Sequence, residues 1–468
     1  MSIRLRGTAA AVLLSFAACA RAQTNTASVE QRVDGFVREE MTRQLIPGAA
    51  VAVIHNGVAN ARGYGYANLE HMVPVTDETI FQSGSLGKMF TAAGVMLQVE
   101  DGKLALSDPI AKFFPGAPPS WTPITIRHLL THTSGIPDYT TSTFEYRRDY
   151  TEDELAHLAF QQQLEFAPGS RWNYSNTGYA LLGFIVGKVS GQFYGDVLAQ
   201  RVFKPLGMKT ARVISERDIV PHRAAGYQLV NGEPKNQDWV APTLNTTADG
   251  ALYWSLRDLV AWNAAVERRA VLTKESWDQI LTPVRLASGK TYPYGFGWAL
   301  DERNGRPVQQ HGGAWQGFKT HLARFIDDDL SIIVLANLAE ADLQRFVNGI
   351  AAIVNPQLAV APLSPIDDRE PQVTVKLRSV LSATRTGTLS RSEFAYVRAG
   401  FFPGTASYYR KELEKLGSLT GVQLLQRREL GDDRVYLYRL TFTNGTRHAR
   451  LALAPDDRVS AFAILDGF

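Results

Sequence analysis

Ala49-Ala50-Val51-Ala52-Val53-Ile54-His55-Asn56-Gly57-Val58 carries an apolar run into Asn-Gly, and an extended pattern resumes beyond it. Asn-Gly tolerates positive φ at both central turn positions, so 49–55 and 58–66 are predicted as a two-stranded hairpin. Upstream, 28–45 is predicted helical: Val29, Val33, Phe36, Val37 and Met41 share one face, and Ser28 with Gln31 makes a capping box. Downstream, about 86–271 reads as helices and loops. Strands return at 296–301 and 306–311 around Asn304-Gly305, then at 320–326 and 330–338 around the turn 327–329, before a closing helix at 341–354. Strands at both ends with helices between predict an α+β domain over 28–355. Its antiparallel sheet is flanked by helices and completed by both chain ends, and its middle is an all-helical insertion.

Residues 356–371 hold Pro356, Pro362, Pro365 and Pro371 and are predicted as a linker. Beyond it, helices at 373–381 and 407–416 and strands at 422–429, 435–443, 448–454 and 461–465 predict a small α+β accessory domain over 372–468. Its pattern is similar to NTF2-like or cystatin-like modules. No cluster of acids, histidines or serines there points to chemistry, which leaves a packing or binding role: holding a partner, dimerising or covering a cleft.

The chain has 468 residues, 49 Lys+Arg and 46 Asp+Glu. The surplus is Arg4, Arg6 and Arg21, all within a stretch that holds no acid. The remainder is formally neutral and has no basic blocks, which argues against nucleic acid as a partner and against a polybasic membrane patch. With 45% hydrophobic and 20% charged residues, the chain has the composition of a folded protein. Residues 1–22 read as an export signal: a basic start, a short apolar stretch at 8–18, and Ala20-Arg21-Ala22 as a small-x-small cleavage site. A periplasmic or secreted protein follows, with no integral membrane segment after cleavage. Lipid anchoring through Cys19 is the alternative. Cys19 is the only cysteine, so an intrachain disulfide and a Cys-based metal site are excluded. No metal or other cofactor is expected.

Ser85-Leu86-Gly87-Lys88 opens a predicted helix, where positions three apart share a face and the Ser85 hydroxyl can meet the Lys88 amine. A serine needs a base to become nucleophilic, and a desolvated lysine can serve. The helix N-terminus offers free N–H groups to an oxyanion. Tyr174-Ser175-Asn176 precedes an apolar helix, and a phenol near an ammonium has its ionised form favoured, so Tyr174 is a second candidate base. His311-Gly312-Gly313 closes a predicted strand. Its glycines let a substrate lie along the edge, and the Ala314 N–H is a second candidate oxyanion donor. Each element alone is weak, since an N-cap serine, a core tyrosine and a turn histidine are common.

In this order and spacing, Ser85–Lys88, Tyr174–Asn176 and His311–Gly313 resemble the three motifs of the penicillin-recognising serine hydrolases. The class C β-lactamase-like branch, with its D-alanyl-D-alanine carboxypeptidases, D-amino-acid peptidases and family VIII esterases, is the most similar. Ile124-Thr125-Ile126-Arg127-His128-Leu129-Leu130-Thr131-His132-Thr133-Ser134-Gly135-Ile136-Pro137 and Phe166-Ala167-Pro168-Gly169-Ser170 are similar to stretches typical of that group. The resemblance covers roughly 29–353 and implies a serine β-lactamase/transpeptidase-like fold and acyl transfer. Ser85 is then the nucleophile, Lys88 and Tyr174 shuttle the proton, and the N–H groups of Ser85 and Ala314 hold the oxyanion. Asn176 contacts Lys88 or the substrate amide, and His311 stands where classical β-lactamases have lysine. Which of Lys88 and Tyr174 is the base stays open.

The third motif departs from Lys-Thr-Gly and lacks a permanent cation and a hydroxyl for a penicillin carboxylate, although His311 can be cationic below neutral pH. Ester or D-peptide substrates are therefore expected ahead of β-lactams. A binding or sensing protein on the same fold, reading cell-wall peptides with little turnover, is the alternative. Ala248-Asp249-Gly250-Ala251-Leu252 departs from an expected double glycine. His128 and His132 have zincin spacing, but Leu129 stands where a catalytic glutamate belongs, so both are expected to be structural.

Overall fold

The computed structural model describes residues 27–140 and 144–465. The leader at 1–22 and Cys19 lie outside the described residues. Helix α1 (Val29–Gln44) begins at the expected capping box, in which the Ser28 hydroxyl accepts from the Gln31 N–H and the Gln31 side chain accepts from the Ser28 N–H. Strands β1 (Gly48–His55) and β2 (Val58–Asn68) meet at Asn56 and Gly57, with φ of 50° and 74°, as the hairpin requires. β3 (Val73–Pro74) pairs with β2. The chain returns much later as β4 (Ala299–Arg303), β5 (Arg306–Trp315), β6 (Phe318–Phe325) and β7 (Leu330–Ala336). One seven-stranded antiparallel sheet results, in the order β4-β5-β6-β7-β1-β2-β3. β1 sits between its hairpin partner and β7, with Ala49 opposite Ala336 and Val53 opposite Ile332.

Side chains alternate across the sheet. Ala49 and Val51, with Ile332 and Val334, face α1 and the closing helix Leu343–Val354, and share a core with Val37, Phe346 and Ile350. Ala50 and Ala52, with Ile333 and Leu335, face the opposite way into the main core around Phe90, Trp254 and Trp262. Helices α2 (Lys88–Glu100) and α3 (Asn176–Ser190) run through that core. The middle of the chain is helix-rich as expected but not purely helical. It also holds a ribbon of Ile80–Gln82, Leu252–Ser255 and Arg212–Val213, and two small hairpins. Strands of two to four residues are too short to register as an alternating pattern. β4 starts later than the 296–301 pattern predicts because Gly297 takes φ of 75°, which turns buried Phe296 and Trp298 into the core.

Pro371 opens the helix Pro371–Thr386 instead of ending the linker, as suits a residue that lacks an N–H at the first helical position. With Ala406–Leu416 and four antiparallel strands (Leu419–Leu430, Asp433–Phe442, Gly445–Leu453 and Val459–Leu465), it encloses a separate core that includes Leu377, Tyr438, Leu451 and Phe462. This C-terminal unit docks on residues 165–172. The Ala399 N–H donates to Glu165 Oε1 at 2.6 Å, Arg171 pairs with Asp433 at 2.5 Å, and the Arg171 guanidinium lies 4.4 Å from the Tyr396 ring centroid. Among the described residues no helix is long and apolar enough to cross a membrane.

Phe346 is fully buried and meets Phe36 edge-on at 6.4 Å between centroids. Phe346→Ala is expected to destabilise the large domain by about 3–5 kcal/mol, read from urea unfolding.

Candidate active site

The Ile80–Gln82 strand runs into a sharp bend at Gly84, whose φ is 51°, and a short 3-10 turn, Gly84–Gly87, delivers Ser85 and leads into α2. Two glycines let backbones touch here. A Cβ on Gly84 would lie 2.3 Å from the Ala314 nitrogen, and one on Gly313 would lie 2.1 Å from the Ser83 carbonyl oxygen. The bend is pinned by Ser83, whose hydroxyl donates to the Gly250 carbonyl at 2.8 Å and accepts from the Leu252 N–H at 3.0 Å. Strand β5 thus runs beside the Ser85 turn, and Ser85, Tyr174, His311, Gly312, Gly313 and Ala314 line one open cleft.

Lys88 is fully buried at the start of α2. Its ammonium donates to Ser85 Oγ at 3.1 Å, to Asn176 Oδ1 at 2.7 Å and to the Asp249 carbonyl at 2.5 Å. Burial disfavours the charged form and lowers its pKa to about 8, against the opposing pull of the Asp249 and Asp138 carboxylates. Of the three acceptors, only Ser85 Oγ also carries a proton to give. A neutral Lys88 keeps two N–H bonds, to Asn176 and Asp249, and turns its lone pair on Ser85.

Asn176 is the first residue of α3, capped by Ser175, whose hydroxyl accepts from the Gly178 N–H. Its amide is oriented by Asp138: Asn176 Nδ2 donates to Asp138 Oδ2 at 3.1 Å, which leaves Oδ1 for Lys88. The other oxygen of Asp138 accepts from the Thr140 N–H and hydroxyl. Tyr174 lies above Lys88, with the ammonium 4.9 Å from its ring centroid. Its buried hydroxyl has no hydrogen-bond partner among the described residues, and burial raises its pKa while the Ser85 hydroxyl lowers it. Burial, with the Asp138 and Asp249 charges, outweighs Ser85 and Arg398 and favours the phenol over the ionised form expected from charge proximity.

Behind Tyr174 runs a chain of hydrogen bonds whose protons are determined by their partners. The Ser175 N–H donates to His132 Nδ1 at 3.1 Å, so the proton of neutral His132 sits on Nε2, which faces the Tyr294 hydroxyl at 3.2 Å. That hydroxyl faces His311 Nε2 at 3.0 Å, while His311 Nδ1 lies 2.6 Å from the Gly312 carbonyl and donates to it. Both histidines are neutral: burial and the Lys88 charge lower His132 well below its usual range and His311 to about 3. The cationic His311 expected below neutral pH is therefore absent, because desolvation outweighs the backbone acceptor. Both His311 nitrogens are engaged within the protein. His132 packs against Tyr174, with ring centroids 4.3 Å apart and planes tilted by 35°.

The structure brings Ser85, Lys88, Tyr174 and Asn176 together, with His311, Gly312, Gly313 and Ala314 beside them. Asp138, Asp249 and Tyr294 are additional. Asp138 directly follows the quoted stretch ending at Pro137, and Asp249 lies within the stretch 248–252 that departs from an expected double glycine. Tyr294 carried no sequence signal.

Fold and site together define the class, a serine hydrolase of the β-lactamase fold. The chain belongs to the Beta-lactamase family, whose model matches residues 33–352. Penicillin-binding protein 4* of Bacillus subtilis (strain 168) is 32% identical over 311 residues, which span 63% of this chain and 68% of that protein. A D-aminopeptidase of Gluconobacter oxydans (strain 621H) is 28% identical over 378 residues, 78% of this chain and 69% of its own. Among solved structures, D-amino acid amidase from Ochrobactrum anthropi SV3 superposes with a TM-score of 0.62 at 25% identity, covering 70% of this chain and 99% of that one.

Tyr294→Phe would leave a buried donor on His132 and a buried acceptor on His311 unpaired. It is expected to cost about 1–3 kcal/mol for each, measured by chemical denaturation.

Proposed function

We propose that this chain is an exported serine hydrolase that cleaves amide or ester bonds through an acyl-enzyme on Ser85, with D-amino-acid peptides, amides and esters as its substrate class. The reading rests on one observation above all: Lys88 is buried, lowered to about 8, and bonded to Ser85 Oγ and two pure acceptors. As an amine, Lys88 takes the Ser85 proton while Oγ attacks the carbonyl carbon. The N–H groups of Ser85 and Ala314 hold the resulting oxyanion. Tyr174, kept protonated by burial, gives its proton to the leaving amine or alkoxide and regains one from the Lys88 ammonium. Water then attacks the acyl-enzyme and releases the acid. Asn176 and Asp138 act as positioning residues for Lys88, and His311 as one for the strand edge.

The D-amino-acid preference is supported by the D-aminopeptidase and D-amino acid amidase likenesses and by the chemistry of the third motif. A neutral His311 offers no cation to a penicillin carboxylate. Losing such a charge-assisted contact costs about 1.5–3 kcal/mol, one to two orders of magnitude in turnover.

The test is product release and intact-protein mass with p-nitrophenyl butyrate, nitrocefin and a D-Ala-D-Ala peptide, on the wild type and Ser85→Ala. Ester or peptide turnover well ahead of nitrocefin, reduced at least about 10³-fold in Ser85→Ala, is expected. A stable adduct without release would make the protein a sensor, and turnover that survives Ser85→Ala would overturn the mechanism. Because the base must be unprotonated, kcat/KM is expected to rise with pH through about 8 and then level off. Lys88→Met should remove both that rise and the activity. Export predicts that the protein recovered from a bacterial periplasm begins at Gln23, whereas a lipid-modified Cys19 at the N-terminus would indicate anchoring.

A further inference from the structure

A cavity of about 490 Å³ lies between the large domain and the C-terminal unit. Thr140 lines both this cavity and the space beside Ser85. On one side its wall is Trp172 stacked on Tyr292, 4.3 Å apart and 9° from parallel; on the other, Tyr396 and Phe462 contribute. Four charged groups also line it: Asp138, Asp433, Arg398 and Arg450. The two acids are already engaged, Asp433 by Arg171 and Asp138 by Asn176 and Thr140. The two arginines are not. No hydrogen bond or ion pair among the described residues engages the Arg398 guanidinium, and Arg450 Nε is buried without a hydrogen-bond partner.

Arg398 is held against the catalytic segment. The next residue, Ala399, donates its N–H to Glu165, and Glu165 also accepts from Asn173 Nδ2, one residue before Tyr174. The positive field of Arg398 reaches the reaction centre, where it favours the ionised form of Tyr174 and disfavours that of His132.

We propose that this inter-domain cavity is a subsite for a carboxylate-bearing end of the substrate, bound by Arg398 with Arg450. The C-terminal unit then supplies the positive charge that the neutral third motif does not. A guanidinium presents a planar fork of donors that fits a carboxylate with two parallel hydrogen bonds, and the aromatic walls accommodate an adjoining apolar side chain. The inference deepens the acyl-transfer reading and depends on it for the meaning of "substrate".

Binding separates the two ideas. Full-length Ser85→Ala protein is titrated by calorimetry with N-acetyl-D-alanyl-D-alanine and with its C-terminal amide, alone and with Arg398→Ala or Arg398→Lys added. The free acid is expected to bind about tenfold tighter than the amide. That preference should vanish in Arg398→Ala and persist in part in Arg398→Lys. Equal binding of acid and amide, no binding of either, or an acid preference that survives Arg398→Ala would overturn the subsite. If the acid preference holds while no Ser85-dependent turnover exists, the subsite stands and the hydrolase reading falls.

Discussion

Lys88 is fully buried, and among the described residues its hydrogen-bond acceptors are Ser85 Oγ, the Asn176 amide oxygen and the Asp249 carbonyl. Much of the surrounding architecture follows from holding an ammonium in that position. Removing it from water disfavours its charge, and the Asp138 and Asp249 carboxylates restore part of it, leaving a pKa of about 8, low enough for a substantial neutral fraction slightly above neutral pH. Neither carboxylate forms an ion pair with Lys88. Asp138 instead fixes the Asn176 amide, and Asp249 presents its backbone carbonyl while its side chain accepts from the Tyr139 hydroxyl. The acids therefore act at one remove, so the amine stays able to give up its proton.

The same burial that makes Lys88 a weak acid near neutrality makes Tyr174 a poor base and His311 a poor cation. These are one effect acting on three groups, since low polarity penalises whichever form is charged. A site arranged in this way keeps its charges few. Tyr294 is what makes two neutral imidazoles tolerable there, because it accepts from one and donates to the other. With every ring nitrogen matched, the strand edge at Gly312 and Gly313 is held without a formal charge beside the cleft.

Much of this was legible in the chain. Asn56-Gly57, the capping box at Ser28 and the apolar run in 330–338 act over a few residues, and the sheet follows once both ends are seen to carry strands. That Ser85, Lys88, Tyr174 and Asn176 come together was legible because each stands in a short local motif. The charge state of His311 was not, since it depends on burial by distant segments. Asp138 and Tyr294 act through bonds to Asn176 and to two histidines outside their own segments; Asp138 merely follows a recognisable stretch, and nothing around Tyr294 marks it. The small ribbon that carries the chain into the Ser85 turn escaped for the opposite reason: its strands are too short to produce a period.

The C-terminal unit has its own core, and part of its contact with the large domain falls on 165–172, shortly before Tyr174, beside a second contact at Lys290 and Glu429. Arg171 and Asp433 are each less than one fifth exposed, so their pairing is shielded from the screening that makes surface ion pairs weak. Glu165 is held at the same boundary by groups from both sides, Ala399 and Asn173. Its carboxyl is raised by burial against those hydrogen bonds, so the contact is sensitive to anything that admits water between the domains. The segment that leads into Tyr174 thus also helps to seat the second domain, with Glu165 bonded to Asn173 on one side and to Ala399 on the other.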